Sequence, residues 1–75
     1  MTSEEVHIKY DNRRLYVFDR SGLTSVLIAV VDISHNFKKF KVIQIDCKDM
    51  TEFETIVLPK IEKYRDYLFS TKSIL

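Results

Sequence analysis

The sequence is poor in the residues that build most small catalytic and metal sites. It has one cysteine, Cys47, so a disulfide within the chain is excluded. His7, His35 and Cys47 lack the paired spacing of a structural zinc site. A single glycine, Gly22, excludes the glycine-rich loops that cradle phosphates. We therefore assign no catalytic, cofactor-binding or metal-ligating residues, and we expect a protein that is not an enzyme.

The sequence also lacks an excess of one charge and a long apolar run. Its 12 basic and 11 acidic residues leave a net charge of +1, which argues against binding of a polyanion through bulk charge. The longest apolar run, residues 26–31, is too short to span a bilayer, so no membrane partner is expected. No apolar segment follows a basic start, so we expect no signal peptide. Together with the lone cysteine, this predicts an intracellular protein of the cytoplasm or nucleus.

Alternation of apolar and polar residues in the first and fourth segments, and apolar, β-branched or aromatic residues in the second and third, predict four strands. They cover residues 6–10, 14–19, 24–33 and 38–46, and from residue 50 the apolar period changes to that of a helix. Short connections favour an antiparallel β-meander, which gives an α+β fold of the order ββββα. We predict one domain over residues 1–75, with a frayed N-terminus at residues 1–5 and a weakly determined tail at residues 70–75.

Local chemistry predicts the turns and one irregularity. Asp11 and Asn12 favour a turn between the first two strands, and a second turn is predicted over residues 34–36, which include His35. Gly22 is expected where the backbone needs a positive φ. The alternation in the fourth strand slips between Val42 and Ile43, which is typical of a β-bulge.

The last third of the chain predicts one amphipathic helix. Its apolar stripe consists of Met50, Phe53, Val57, Ile61, Tyr64 and Leu68. Two capping boxes fit its start equally well, Thr51 with Glu54 and Asp49 with Glu52. Pro59 predicts a kinked helix, or a short helical turn followed by a longer helix that starts at the proline.

One helix cannot cover both faces of this sheet. A helix is about 10 Å wide and strands lie about 4.8 Å apart, yet strands two to four carry apolar side chains on both faces. An uncovered apolar face usually marks an interaction site. The candidate interface is Tyr16, Phe18, Leu27 and Val31, and the expected partner is a protein, either a second copy in a homodimer or a larger complex. The alternative is a sheet that curls onto its own second face.

Basic and aromatic residues that interleave on a sheet suggest a second function. Rings can stack on bases and cations can follow phosphates in binding of single-stranded nucleic acid. The candidate residues are Arg13, Arg14, Phe37, Lys38, Lys39, Phe40 and Lys41. Lysines on an edge strand also protect a sheet against edge-to-edge aggregation, which is the competing interpretation.

The order of elements resembles the single-stranded-DNA-binding domain of the positive-cofactor-four transcriptional coactivators. Residues 14–33 are similar in outline, with a basic and aromatic strand, a polar turn and an apolar strand, and residues 41–56 are similar to that family's last strand and helix. The resemblance implies a dimer with DNA contacts near Arg13, Arg14, Lys38, Lys39 and Lys41. It lies in the order of elements and in no motif, and the glycines typical of that family's strand ends are missing, so no membership is assigned.

Overall fold

A computed structural model describes residues 1–34 and 37–72 of the chain. In chain order, its elements are a 3-10 helix at Ser3–Glu5, strands β1 Val6–Asp11, β2 Arg14–Asp19, β3 Val26–Ser34 and β4 Lys39–Ile45, helix α1 Met50–Glu52, a π-helical segment Phe53–Val57 and helix α2 Leu58–Lys72. The strands form one antiparallel sheet in the order β1-β2-β3-β4. The predicted ββββα fold of the α+β class is confirmed.

Two irregularities interrupt the register of the sheet. On β3, Ile28 is an extra residue, because Val17 pairs with Ala29 while the next residue, Phe18, pairs with Leu27. On β4, Ile43 is an extra residue, because Val30 pairs with Gln44 while Val31 pairs with Val42. The bulge predicted between Val42 and Ile43 is confirmed, and the bulge at Ile28 was not predicted. Each extra residue exchanges the faces of the residues beyond it in the strand.

Positive φ angles occur at the tips of two hairpins. Asn12 and Arg13 have φ of 48° and 65°, as a two-residue type I′ hairpin requires, so the predicted turn is confirmed one residue later than expected. Phe37 has φ of 70°, an unusual value for a bulky side chain. The expectation for Gly22 is wrong, since this residue has no positive φ and lies in an open loop.

The C-terminal helix is continuous from Met50 to Lys72 and passes through Pro59. Proline cannot donate the backbone hydrogen bond to the residue four positions earlier, and its ring clashes with that carbonyl. The π-helical segment ends two residues before Pro59, and the N–H of Leu58 donates to the carbonyl of Phe53, five residues back. This wider turn accommodates the proline within one helix, so of the two predicted alternatives the separate helix starting at Pro59 is wrong, and the kink stays a prediction.

The start of the helix region is held by polar contacts. Asp49 is the N-cap, and its side chain accepts hydrogen bonds from the N–H groups of Thr51 and Glu52, so the cap residue of the second predicted capping box is confirmed. Glu52 forms an ion pair with the α-amino group of Met1 at 3.6 Å. The chain start, which the sequence predicts to be frayed, thus includes a 3-10 helix and a Met1 packed against the core.

The core lies between the helix and one face of the sheet. From the helix, Phe53, Val57, Ile61 and Leu68 are buried, which confirms most of the predicted stripe, whereas Tyr64 is half-buried and Met50 is exposed. From the sheet, the buried residues are Val6, Leu15, Val17, Ile28, Ala29, Val31 and Ile33. Helix α2 extends to Lys72 in the predicted tail, and residues 73–75 of that tail lie outside the described residues, as does the predicted turn residue His35.

Candidate interaction surfaces of the sheet

The face of the sheet opposite the helix carries an apolar centre. Val30 pairs with Tyr16, and Leu27 pairs with Phe18, so these four residues point to the same side, away from the helix. Val30 is buried by its neighbours, while Tyr16, Phe18 and Leu27 are half-buried. We call this group of four the outer surface. It includes three of the four residues in the predicted interface.

Val31, the fourth predicted interface residue, does not belong to the outer surface. It is 0% exposed and belongs to the core beneath the helix. The sequence places Leu27 and Val31 on one face because they are four residues apart in a regular strand. The bulge at Ile28 lies between them, and it puts Leu27 with Phe18 on the outer surface and Val31 with Leu15 beneath the helix.

Charged residues flank the outer surface on its β1 side and in the next row across the sheet. Lys9 of β1 pairs with Tyr16. The next row across the sheet consists of one residue from each strand, in the order Asp11, Arg14, Asp32 and Lys41. Acidic and basic side chains alternate along this row, so opposite charges are cross-strand neighbours. The rim is therefore mixed in sign, which suits a protein surface better than the phosphate backbone of a nucleic acid.

The seven predicted nucleic-acid residues do not form one surface. Phe37 and Phe40 pack against the core on the helix side, and the Phe37 ring lies 5.8 Å from the Tyr10 ring. Arg14, Lys39 and Lys41 point to the opposite side of the sheet, as their register shows. The two predicted aromatic rings are thus separated by the sheet from three of the predicted cations.

The other two predicted cations lie in hairpin turns. Arg13 occupies the turn between β1 and β2, where its backbone carbonyl accepts a hydrogen bond from the N–H of Ile33. Lys38 precedes β4, and its carbonyl accepts a hydrogen bond from the Arg65 guanidinium at 3.0 Å. Both side chains are exposed. Of the predicted set, only Arg14, Lys39 and Lys41 lie on the same side of the sheet as the aromatic rings of the outer surface.

A second apolar group lies where the helix leaves the end of β4 uncovered. Its members are Val26, Ile43, Ile45 and Met50, which are between 42% and 52% exposed. We call this group the β4 corner. Ile45 pairs with the core residue Ala29 and yet remains exposed, because the chain turns towards the helix directly after β4. The sequence predicts Met50 to be part of the buried helix stripe and predicts no exposed apolar group here, although the slip at Ile43 marked the same strand.

A shallow cleft of about 320 Å³ lies beside this corner. Asp19, Asp46, Asp49 and Glu52 line it together with Cys47 and Lys48, and Asp49 and Glu52 already cap the helix and pair with Met1. Hydrogen bonds from the side chain and the backbone N–H of Ser21 lower the pKa of Asp19. These carboxylates have structural partners or face solvent. Among the described residues, no group of three or more metal-binding side chains is placed to hold an ion.

Two further findings bear on the class of protein. In the part of the chain that the structure describes, no helix is both long and apolar enough to cross a membrane. No known family model, curated protein or solved structure matches the chain.

Proposed function

We propose that the protein is a small non-enzymatic binding module that contacts another protein through the outer surface and self-associates as a homodimer. The observation that carries this proposal is the outer surface itself. Tyr16, Phe18 and Leu27 keep part of their apolar area in contact with solvent on the side of the sheet opposite the helix. Apolar and aromatic residues inside a polar rim are the usual composition of a protein interface.

The small size of the domain supports the self-association. A chain of 75 residues buries only about 60% of the surface of its unfolded state, which leaves a modest core. Oligomerisation is one of the ways in which small domains gain stability, and a disulfide is excluded by the single cysteine. The free thiol of Cys47 also fits a reducing intracellular compartment, which we propose as the site of action.

Sedimentation equilibrium across a range of concentrations tests the self-association. We expect a mass of twice 8.9 kDa at micromolar concentration and above. A mass of 8.9 kDa at the highest concentration would contradict the homodimer. This measurement needs no knowledge of any other protein that the outer surface binds.

Site-specific photocrosslinking in cells tests the outer surface. A benzophenone amino acid replaces Tyr16 in one variant and the exposed helix residue Tyr67 in a control variant. We expect a discrete protein adduct from position 16 that is missing from position 67. Identical adducts at both positions, or none at position 16, would contradict binding through the outer surface.

Binding of single-stranded nucleic acid is the alternative function. It is favoured by one observation, the position of Tyr16 and Phe18 on the same side of the sheet as Lys9, Arg14 and Lys41. Rings that face away from the core can stack on bases, and nearby cations can contact phosphates. The interleaved Asp11 and Asp32 weaken this alternative, because they repel the phosphates that the cations attract.

Fluorescence anisotropy with a labelled single strand separates the two functions. If Lys9, Arg14 and Lys41 each contact a phosphate, the logarithm of affinity falls against the logarithm of salt with a slope near −2, at about 0.7 per contact. Arg14→Glu would then flatten that slope, whereas Lys63→Glu on the exposed helix surface would leave it unchanged. For the proposed protein-binding module we expect no binding even at low salt.

A further inference from the structure

We propose that the homodimer forms by antiparallel pairing of β4 with β4 of a second copy, which joins two four-stranded sheets into one sheet of eight. This inference rests on the proposed self-association and assigns the surface that performs it. In the strand order β1-β2-β3-β4, β4 pairs with β3 on one side, and no described strand lies on its other side. A free edge of this kind offers a row of backbone donors and acceptors to another strand.

Two backbone hydrogen bonds show which groups of β4 point to the free edge. The N–H of Ile33 donates to Arg13, on the β2 side, so the Ile33–Phe40 pair does not exchange hydrogen bonds and the backbone groups of Phe40 point outward. The N–H of Asp46 donates to the carbonyl of Ile28 across the sheet, so the groups of the preceding residue, Ile45, point outward as well. Phe40 and Ile45 are therefore the outward positions near the two ends of the strand.

The bulge at Ile43 makes these two positions compatible with a two-fold axis. Partner residues in such a pairing must lie on the same face of the joined sheet, and residues five apart in a regular strand lie on opposite faces. The extra residue between Phe40 and Ile45 brings both onto the helix side, where they pair with Ile33 and Ala29. Phe40 of one copy can then face Ile45 of the other, with Val42 and Ile43 at the centre.

Charge supports the same register. Lys38 directly precedes β4, Lys39 and Lys41 lie at its start, and the exposed Asp46 follows its end. In the antiparallel register that pairs Phe40 with Ile45, Lys39 of each copy faces Asp46 of the other, and Lys41 faces Gln44. Opposite charges therefore meet at both ends of the interface.

The same lysines limit the choice of partner. A lysine on an edge penalises pairing with most other strands, which is how edges resist aggregation. Here Lys39 gains an acidic neighbour in the antiparallel copy of the same strand, so pairing with self is favoured over pairing with an unrelated edge. Pairing of two seven-residue strands buries less surface than a tight complex does, so we expect a dimer that forms at micromolar concentration and dissociates on dilution below it.

A charge exchange between the two ends of β4 tests the register. Lys39→Asp and Asp46→Lys each place like charges together at both ends, and each should raise the dimer dissociation constant at least tenfold in sedimentation equilibrium. An equimolar mixture of the two single variants should recover the dimer, because opposite charges then face each other at both ends. Lys63→Asp and Glu54→Lys, exposed on the helix, change the net charge equally and should leave the dimer intact.

The outcomes separate this inference from the proposal on which it rests. Single variants that dimerise as the wild type does, or a mixture that fails to recover the dimer, would overturn β4 pairing while the homodimer stands. Loss of the dimer in Tyr16→Ser with Phe18→Ser, with both charge variants unaffected, would move the dimer to the outer surface and also overturn it. A monomeric wild type would overturn both. Circular dichroism of every variant confirms that the fold is retained.

Discussion

The two faces of the sheet are built from the same strands and differ in what they bury. On the helix face, Leu15, Val17 and Val31 are completely shielded from solvent. On the other face, their strand neighbours Tyr16 and Leu27 keep part of their area exposed. Area removed from water sets the hydrophobic contribution, so the helix face provides the larger hydrophobic contribution to folding. The other face is correspondingly free to serve an interaction.

The largest effect is expected where the helix meets the sheet. Ile61 is 0% exposed at the middle of the helix. Ile61→Ala should lower the free energy of unfolding by about 2–5 kcal/mol, from lost transfer energy and the cavity left behind. Tyr67→Ala, on the exposed side of the same helix, should change it by less than about 0.5 kcal/mol. Urea denaturation measures both, and equal losses would contradict the assignment of the faces.

Two substitutions on β3 test the difference between the two faces of the sheet. Val31→Ala should cost about 2 kcal/mol, because it removes buried atoms beneath the helix. Leu27→Ala removes more atoms but should cost less than about 1 kcal/mol, because the side chain is half-exposed on the outer surface. Chemical denaturation of both variants checks the order. A larger loss for Leu27→Ala would show that the bulge at Ile28 does not separate these residues.

A smaller effect of opposite sign is expected at a turn that belongs to neither face. Arg13 adopts φ of 65°, which glycine adopts without the steric cost borne by a side chain. Arg13→Gly relieves this steric cost but also increases the backbone entropy that is lost on folding. The relief is the larger effect, so the substitution should stabilise the fold by about 0.5 kcal/mol. Arg14→Gly, one residue later in β2, should destabilise it by a similar amount. Thermal unfolding gives both signs, and stabilisation by both substitutions would count against strain at Arg13.

The smallest effect is a dependence on pH at the end of β2. Hydrogen bonds from Ser21 lower the pKa of Asp19 in the folded state. The resulting stabilisation is present above the pKa of the unfolded chain and is lost as the pH falls below that value and through the lower folded pKa. Asp19→Asn should show a slightly smaller loss of stability over that range. Urea midpoints at several pH values measure the difference, and an identical profile would contradict a role for this carboxyl group.

Much of the fold could be predicted from local patterns that the sequence displays directly. The second strand has the predicted bounds, Arg14–Asp19, and the helix begins at Met50 as its period predicts. The slip at Val42 was visible because it interrupts an alternation of polar and apolar residues. The bulge at Ile28 was not, because β3 is apolar at nearly every position and offers no alternation to interrupt.

The surfaces were harder to predict because they depend on packing between distant segments. The faces of Tyr16 and Phe18 could be predicted because β2 is regular, whereas Val31 was misplaced by the hidden bulge on β3. Phe37 and Phe40 pack against the core that the helix completes, whereas Ile45 on the same strand as Phe40 remains exposed. No local sequence pattern indicates which part of the sheet a distant helix will cover.

The π-helical segment makes two features of the sequence depend on each other in evolution. These are Pro59 and the extra residue of the wide turn. Each residue added to an α-helix rotates the remainder of the helix by about 100°. Replacing Pro59 would remove the clash, and a return of Phe53–Val57 to regular α-helix would then rotate Ile61 and Leu68 away from the sheet. Only deletion of one residue from the wide turn would bring them back. We therefore expect descendants of this sequence to keep both the proline and the extra residue, or to lose the two together.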